Sequence, residues 1–158
     1  MAEEDKRRIE IITAGYVYNF ARLAVWPDLP KQHPIKLCIS AQPYFFDIFR
    51  QFSGKKVAGR ALKIVEYSEQ IHNDCQILFI DINTPVKIQN ECKKLKLSSN
   101  VLTISNQPNF SRNCGIIGLF EEDNRLRFEI NIDTIKKSNL RLSSYLYKLA
   151  RILRNKDL

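Results

Sequence analysis

The sequence predicts an α/β fold: a single-domain sandwich over residues 1–158, with a mixed, largely parallel sheet, flanking helices and a β-hairpin in the C-terminal half. Three observations predict it. Short apolar runs bounded by turn residues alternate with segments of helical periodicity, the mark of strand–helix–strand winding. One later stretch, residues 114–133, starts apolar, turns through four polar residues and then alternates apolar and polar at period two. A chain of 158 residues with 44% hydrophobic and 27% charged content is long enough and ordinary enough to bury one core.

Residues 1–4 read as an added or disordered start. From Asp5 to Trp26 the pattern is helical, ending where Pro27 disfavours helix at its predecessor. Ile9, Ile12, Tyr16, Phe20 and Leu23 form one stripe, and Ile11, Tyr18 and Val25 form a second that also carries Arg22. A helix apolar on two sides is either buried on both or offers one of them to a partner. IKLCISA (35–41) reads as a buried strand, 43–52 as a helix stopping at Ser53-Gly54, and GKKVAGR (54–60) as a loop turn leading into a strand over 61–68. CQILFID (75–81) is the most hydrophobic strand. Thr84 then caps a helix that Pro85 opens and that runs through Leu95, and 101–106 is a fourth strand. The hairpin turns on residues 121–124, and Asp133 or Thr134 starts a short helix. Finally Leu142, Tyr145, Leu146, Leu149, Ile152 and Leu153 recur at helical spacing, with Lys148, Arg151 and Arg154 opposite, which predicts a terminal amphipathic helix.

The formal charge of +8 raises the question of nucleic acid, but residues 136–158 hold seven Lys/Arg against one acid, on the back of that terminal helix. No aromatic residues interleave with the cations to stack bases, so nucleic acid is not expected as a partner. No run approaches 18 apolar residues, so no membrane span is expected, and MAEEDKRR is too polar for a signal peptide. Asp81 sits where a receiver domain carries its phosphoacceptor, but LCISAQ lacks the acidic residues that would hold magnesium there. There is no GxSxG elbow, no GxGxxG or Walker loop, no CxxC pair, and only two histidines. Catalytic residues, metal ligands and a cofactor are accordingly not expected. The four cysteines, Cys38, Cys75, Cys92 and Cys114, are widely separated; their even number permits disulfides, and buried thiols fit equally.

The hairpin's second strand places Leu126, Phe128, Ile130 and Ile132 on one parity and Arg125, Arg127, Glu129 and Asn131 on the other. An alternating strand in a covered sheet must lie at an edge to send its polar parity to water. That explains Arg125 and Arg127 as solubilising edge charges. Glu129 and Asn131 lie further in and need partners if buried. Arg22 and Arg141, the latter at the start of the terminal helix, are the available cations. Arg22, Glu129, Asn131 and Arg141 therefore form either a partner- or ligand-binding patch or a structural salt-bridge network.

Several segments together resemble one known family. GYVYNFARLAVWP (15–27), IKLCISAQPYFFDIF, GKKVAGRALKIVEYS, CQILFID, VLTISNQPNF, GIIGLFEEDNRLRFEINID and LRLSSYLYKLARIL follow one another as in the YfiR-like periplasmic family, over roughly residues 12–153. The resemblance implies a non-enzymatic repressor of α/β-sandwich fold, often dimeric. Such a protein engages the periplasmic portion of an inner-membrane diguanylate cyclase and so lowers cyclic di-GMP and biofilm formation. Redox stress or a small-molecule ligand would control it. Related domains attached to sensor kinases make a ligand-sensing input domain for a histidine kinase the alternative. The family's export signal is absent from this chain and is expected to have been removed. A periplasmic address would let Cys38 and Cys75 oxidise; the resemblance also implies room for a second bridge near the hairpin, which here would join Cys114 to Cys92, although no cysteine is close to Cys114 in sequence.

Overall fold

The computed structural model describes residues 3–68, 74–84 and 100–158. Helix α1 (Glu3–Arg22) opens the chain and is followed by the two-residue strand β1 (Ala24–Val25). Strand β2 (Ile35–Ser40) leads to α2 (Pro43–Phe49), which tightens into a 3-10 turn over Arg50–Phe52. Strands β3 (Lys56–Val57), β4 (Arg60–Glu66), β5 (Ile77–Ile80) and β6 (Leu102–Ser105) follow. A short α3 (Phe110–Asn113) precedes the hairpin β7 (Ile117–Glu122) and β8 (Arg125–Asn131). The chain ends in α4 (Ile132–Lys136), β9 (Arg141–Leu142), α5 (Ser144–Leu149) and β10 (Arg151–Leu153).

Eight strands form one sheet in the order β10-β8-β7-β6-β5-β2-β4-β3, and β1 pairs with β9 in a separate two-stranded sheet. β10/β8, β7/β6, β6/β5, β5/β2 and β2/β4 are parallel, whereas β7/β8 and β3/β4 are antiparallel. The predicted α/β class with a largely parallel mixed sheet is what the chain adopts. The reason is visible in β2, β5 and β6: with both faces covered, their side chains are buried on both parities, so they read as continuous apolar runs. On one face Phe45 and Phe49 of α2 meet Phe79 at ring-centroid distances of 5.5 and 5.3 Å. On the same face Phe20 of α1 meets Phe128 at 5.0 Å. The other face gathers Cys38, Cys75, Leu78, Ile80, Val101 and Phe110.

Four expectations need correction. Helix α1 stops at Arg22, not Trp26, because Ala24 and Val25 pair with Leu142 and Arg141 and the Ser143 amide donates to the Leu23 carbonyl. Its buried face is Glu10, Thr13, Ala14, Val17, Phe20 and Ala21; Ile11 and Ile12 are 49% and 40% exposed. The loop at 54–60 contains half of a tight hairpin, with Lys56–Val57 paired to Arg60–Ala61 around Ala58 and Gly59, both at positive φ (50° and 81°). The largest difference is at the C-terminus. The predicted helix is a six-residue α5; Ala150 is extended (φ −83°, ψ 151°), and Arg151–Leu153 pair in parallel with Glu129–Asn131. β10 is thus the edge strand and β8 is interior. The helix predicted from Thr84-Pro85 to Leu95 and the cysteine at 92 lie outside the described residues.

Candidate functional site

The position of β8 resolves its polar parity. β10 is three residues long and covers only the far half of β8. Arg125 and Arg127 project beyond it into solvent, as expected of charges beside a turn. Where β10 begins, burial sets in: Glu129 is 7% exposed and Asn131 1%.

Phe128 and Ile130 point toward α1, where the Tyr16 hydroxyl donates to the Leu126 carbonyl at 2.9 Å. Glu129 and Asn131 occupy the opposite face and meet α3. The fully buried Ser111 hydroxyl donates to Glu129 Oε1, and Arg151 Nε lies 3.3 Å from Glu129 Oε2. Arg151 in turn stacks its guanidinium 3.9 Å from the centre of the Phe120 ring and lies 4.0 Å from Glu122, which also pairs with Arg127 at 3.7 Å. One arginine therefore ties the edge strand to both strands of the hairpin. Gly118 faces Glu129 across β7–β8, and a Cβ there would come within 2.9 Å of Ser111 Oγ. Glycine is what lets the serine reach the carboxylate.

Asn131 uses both ends of its amide. Oδ1 accepts from the Asp133 and Thr134 amides at 3.0 and 3.1 Å, capping α4. Nδ2 donates to the Ser111 carbonyl at 2.8 Å and to Asn155 Oδ1 at 2.9 Å. Asp133 Oδ2 accepts from the Asn155 amide at 2.7 Å. This network joins α3, β8, α4 and the chain end.

Of the four residues predicted to form one patch, the structure brings Glu129 and Asn131 together and places Arg22 and Arg141 elsewhere. Arg22 is exposed, bonded to Asn19 Oδ1 at 3.2 Å and 5.9 Å from the Tyr18 ring centre. Arg141 is exposed on β9, in register with Val25. Glu129 takes its cation from Arg151 instead. Ser111, Gly118, Arg151 and Asn155 are the members that sequence reasoning missed. Two small residues facing an interior carboxylate were the available signal, but only the strand register reveals it.

Asp81 is buried and accepts from Asn106 Nδ2 at 2.8 Å and the Asn83 amide at 3.1 Å, a loop staple at the end of β5. Cys38 and Cys75 are joined as a disulfide, with Cα atoms 5.9 Å apart. The suggested Cys92–Cys114 bridge rests on a cysteine outside the described residues. Between α1 and α2, Lys6, Glu10, Tyr44 and Asp47 line a cavity of about 430 Å³. Burial pushes the Glu10 carboxyl up, against the opposing pull of Lys6 and a Tyr44 hydrogen bond. No described helix is long and apolar enough to cross a membrane.

No curated protein matches the chain. Among solved structures, a conserved domain protein from Vibrio cholerae O1 biovar El Tor superposes with a TM-score of 0.65 at 9% identity, over 88% of this chain. The chain spans 59% of the length of that protein, and at this identity the likeness shows the fold alone. The model of the YfiR/HmsC-like family matches residues 10–151, from the first buried residue of α1 to the arginine that holds the edge strand, and the chain belongs to that family.

Proposed function

We propose that this chain is a periplasmic, non-enzymatic regulator that binds and represses an inner-membrane diguanylate cyclase, lowering cyclic di-GMP and biofilm formation. The observation that carries this reading is the family match over residues 10–151. The Cys38–Cys75 disulfide supports an oxidising compartment, where such bonds persist. The reading treats residues 1–158 as one functional unit that works as a homodimer, with redox state or a small ligand controlling release.

Within it the four predicted site residues divide their roles. Glu129 and Asn131 hold the C-terminal strand in place from beneath, while Arg22 and Arg141, exposed near the β1–β9 pair, contact the partner. The test is affinity capture from envelope extract of the native host: a membrane protein with a cyclase domain co-purifies, and deleting the gene raises cyclic di-GMP. Capture that yields no cyclase, with unchanged cyclic di-GMP, overturns the reading.

The cavity between α1 and α2 favours a second reading, a small-ligand-sensing input domain acting on a histidine kinase. A thermal-shift panel of nucleotides and amino acids tests it, and it fails if none raises the melting temperature.

A further inference from the structure

Beside the edge strand lies a groove that the network at Glu129 leaves unused. Ile132, Ile135, Lys136, Tyr147, Ile152 and Arg154 line a concavity of about 330 Å³ between α4, α5 and β10. Its floor is apolar and its rim is cationic. Burial has pushed the Tyr147 phenol above its ordinary range, as expected of a hydroxyl held against hydrocarbon. Three independent features coincide here. The groove is open and apolar; it runs beside a strand that ends the sheet; and the surrounding segment, residues 136–158, holds seven Lys/Arg against one acid.

From this coincidence we infer that the groove and the β10 edge receive an extended, acidic, amphipathic segment of a partner protein. An edge strand offers unpaired backbone groups to an incoming strand, and alternate side chains of that strand select for pockets. Here the apolar side chains of the guest fill the space over Ile135, Tyr147 and Ile152, and its carboxylates face Lys136 and Arg154. A second copy of this chain is excluded as the occupant by charge. A two-fold contact through this face would set Lys136 and Arg154 of one copy against those of the other, and such charges are how edge strands avoid self-pairing. This inference deepens the reading of the protein as one that acts by binding another protein, and rests on it.

The assay uses the full chain and a labelled octapeptide of alternating Glu and Leu, followed by fluorescence anisotropy and by amide NMR. A Lys/Leu octapeptide and vesicles of anionic phospholipid are run in parallel. The expected result is saturable binding of the Glu/Leu peptide that weakens with salt, with shifts confined to residues 132–136 and 147–154. Lys136→Glu with Arg154→Glu, both at exposed positions, weakens binding about tenfold or more without altering the fold. Ile152→Glu serves as a second variant if it folds. The inference is overturned if the Glu/Leu peptide does not bind, if the Lys/Leu peptide binds equally well, if the shifts fall elsewhere, or if only vesicles bind. Envelope capture separates this from the broader reading. If wild-type protein captures a cyclase and the charge-reversed protein captures it equally, the groove is wrong and the reading stands; if neither captures one, the reading falls while the peptide assay still judges the groove.

Discussion

Replacing Asn131 with alanine tests whether the buried amide caps α4 and ties β8 to α3 as described. The substitution removes the cap of α4, which accepts from the Asp133 and Thr134 amides. Losing an N-cap side chain costs about 1 kcal/mol, within a range of roughly 0.5–2. It also removes the donor to the Ser111 carbonyl. Ser111 is fully buried, so water cannot easily replace that bond. An orphaned buried acceptor costs about 1–3 kcal/mol. The bond to Asn155 joins an exposed partner and adds little. The sum is about 2–4 kcal/mol, or a fall in Tm of roughly 5–15 °C for a chain of this size. Urea unfolding followed by circular dichroism gives the free energy and scanning calorimetry gives the Tm. Asn131→Asp is the informative control, because aspartate caps as well as asparagine but cannot donate to Ser111. It keeps the cap but turns a buried carboxylate oxygen toward the Ser111 carbonyl, so its cost is at least that of losing the Ser111 bond. A loss below about 0.5 kcal/mol for Asn131→Ala would refute the reasoning, since it would mean that neither the cap nor the Ser111 bond is made in solution.

Three further predictions follow from the same structure. Reducing the Cys38–Cys75 bond, or replacing both cysteines by serine, frees a 37-residue loop and lowers stability by about 4 kcal/mol on chain-entropy grounds, read as a lower urea midpoint. Gly118→Ala drives a Cβ to within 2.9 Å of Ser111 Oγ and destabilises by about 1–3 kcal/mol; pairing it with Ser111→Ala recovers part of the loss in a double-mutant cycle. Burial raises the Glu10 pKa in the folded state, so the folded chain binds a proton more tightly than the unfolded one there. This group's effect favours folding at low pH and turns against it as pH rises from the ordinary carboxylate range through the raised value. Glu10→Gln therefore increases stability at pH 7 relative to wild type and leaves it nearly unchanged at pH 4.

The fold was legible where burial was complete. IKLCIS, ILFI and LTIS are parallel strands covered on both faces, so local composition and tertiary position demand the same apolar residues. The hairpin was legible because alternation and a polar turn at Asp123-Asn124, both at positive φ, coincide. The terminal strand was not. LYKLARIL spaces its apolar residues as a helix would, and its first half is one. What ends it at Ala150 is the open side of β8, where Glu129, Ile130 and Asn131 offer a ladder. That choice is made by residues some twenty positions earlier in the chain, and no local pattern contains it. The same holds for Ala24 and Val25, which helical periodicity claimed and β9 took. Misplacing the tail concealed Arg151 and Asn155, so the search for cations to meet Glu129 fell on Arg22 and Arg141.

A carboxylate as deeply buried as Glu129 is a weak way to gain stability, because desolvating it costs about what its partners return. Its geometry serves position better than strength. Ser111 holds one oxygen from α3, and Arg151 holds the other from a strand that is itself half exposed. Together with the Asn131 amide, which reaches Asn155 just beyond the strand, the carboxylate distinguishes β10 in this register from β10 slipped by one residue. A one-residue slip would put Ile152, not Arg151, opposite Glu129 and send Arg151 to the wrong face. It would also invert which side chains line the groove with Ile132 and Tyr147. The buried network and the cationic groove are therefore two sides of one three-residue strand: the inner side fixes the register, and the register decides what the outer side can bind.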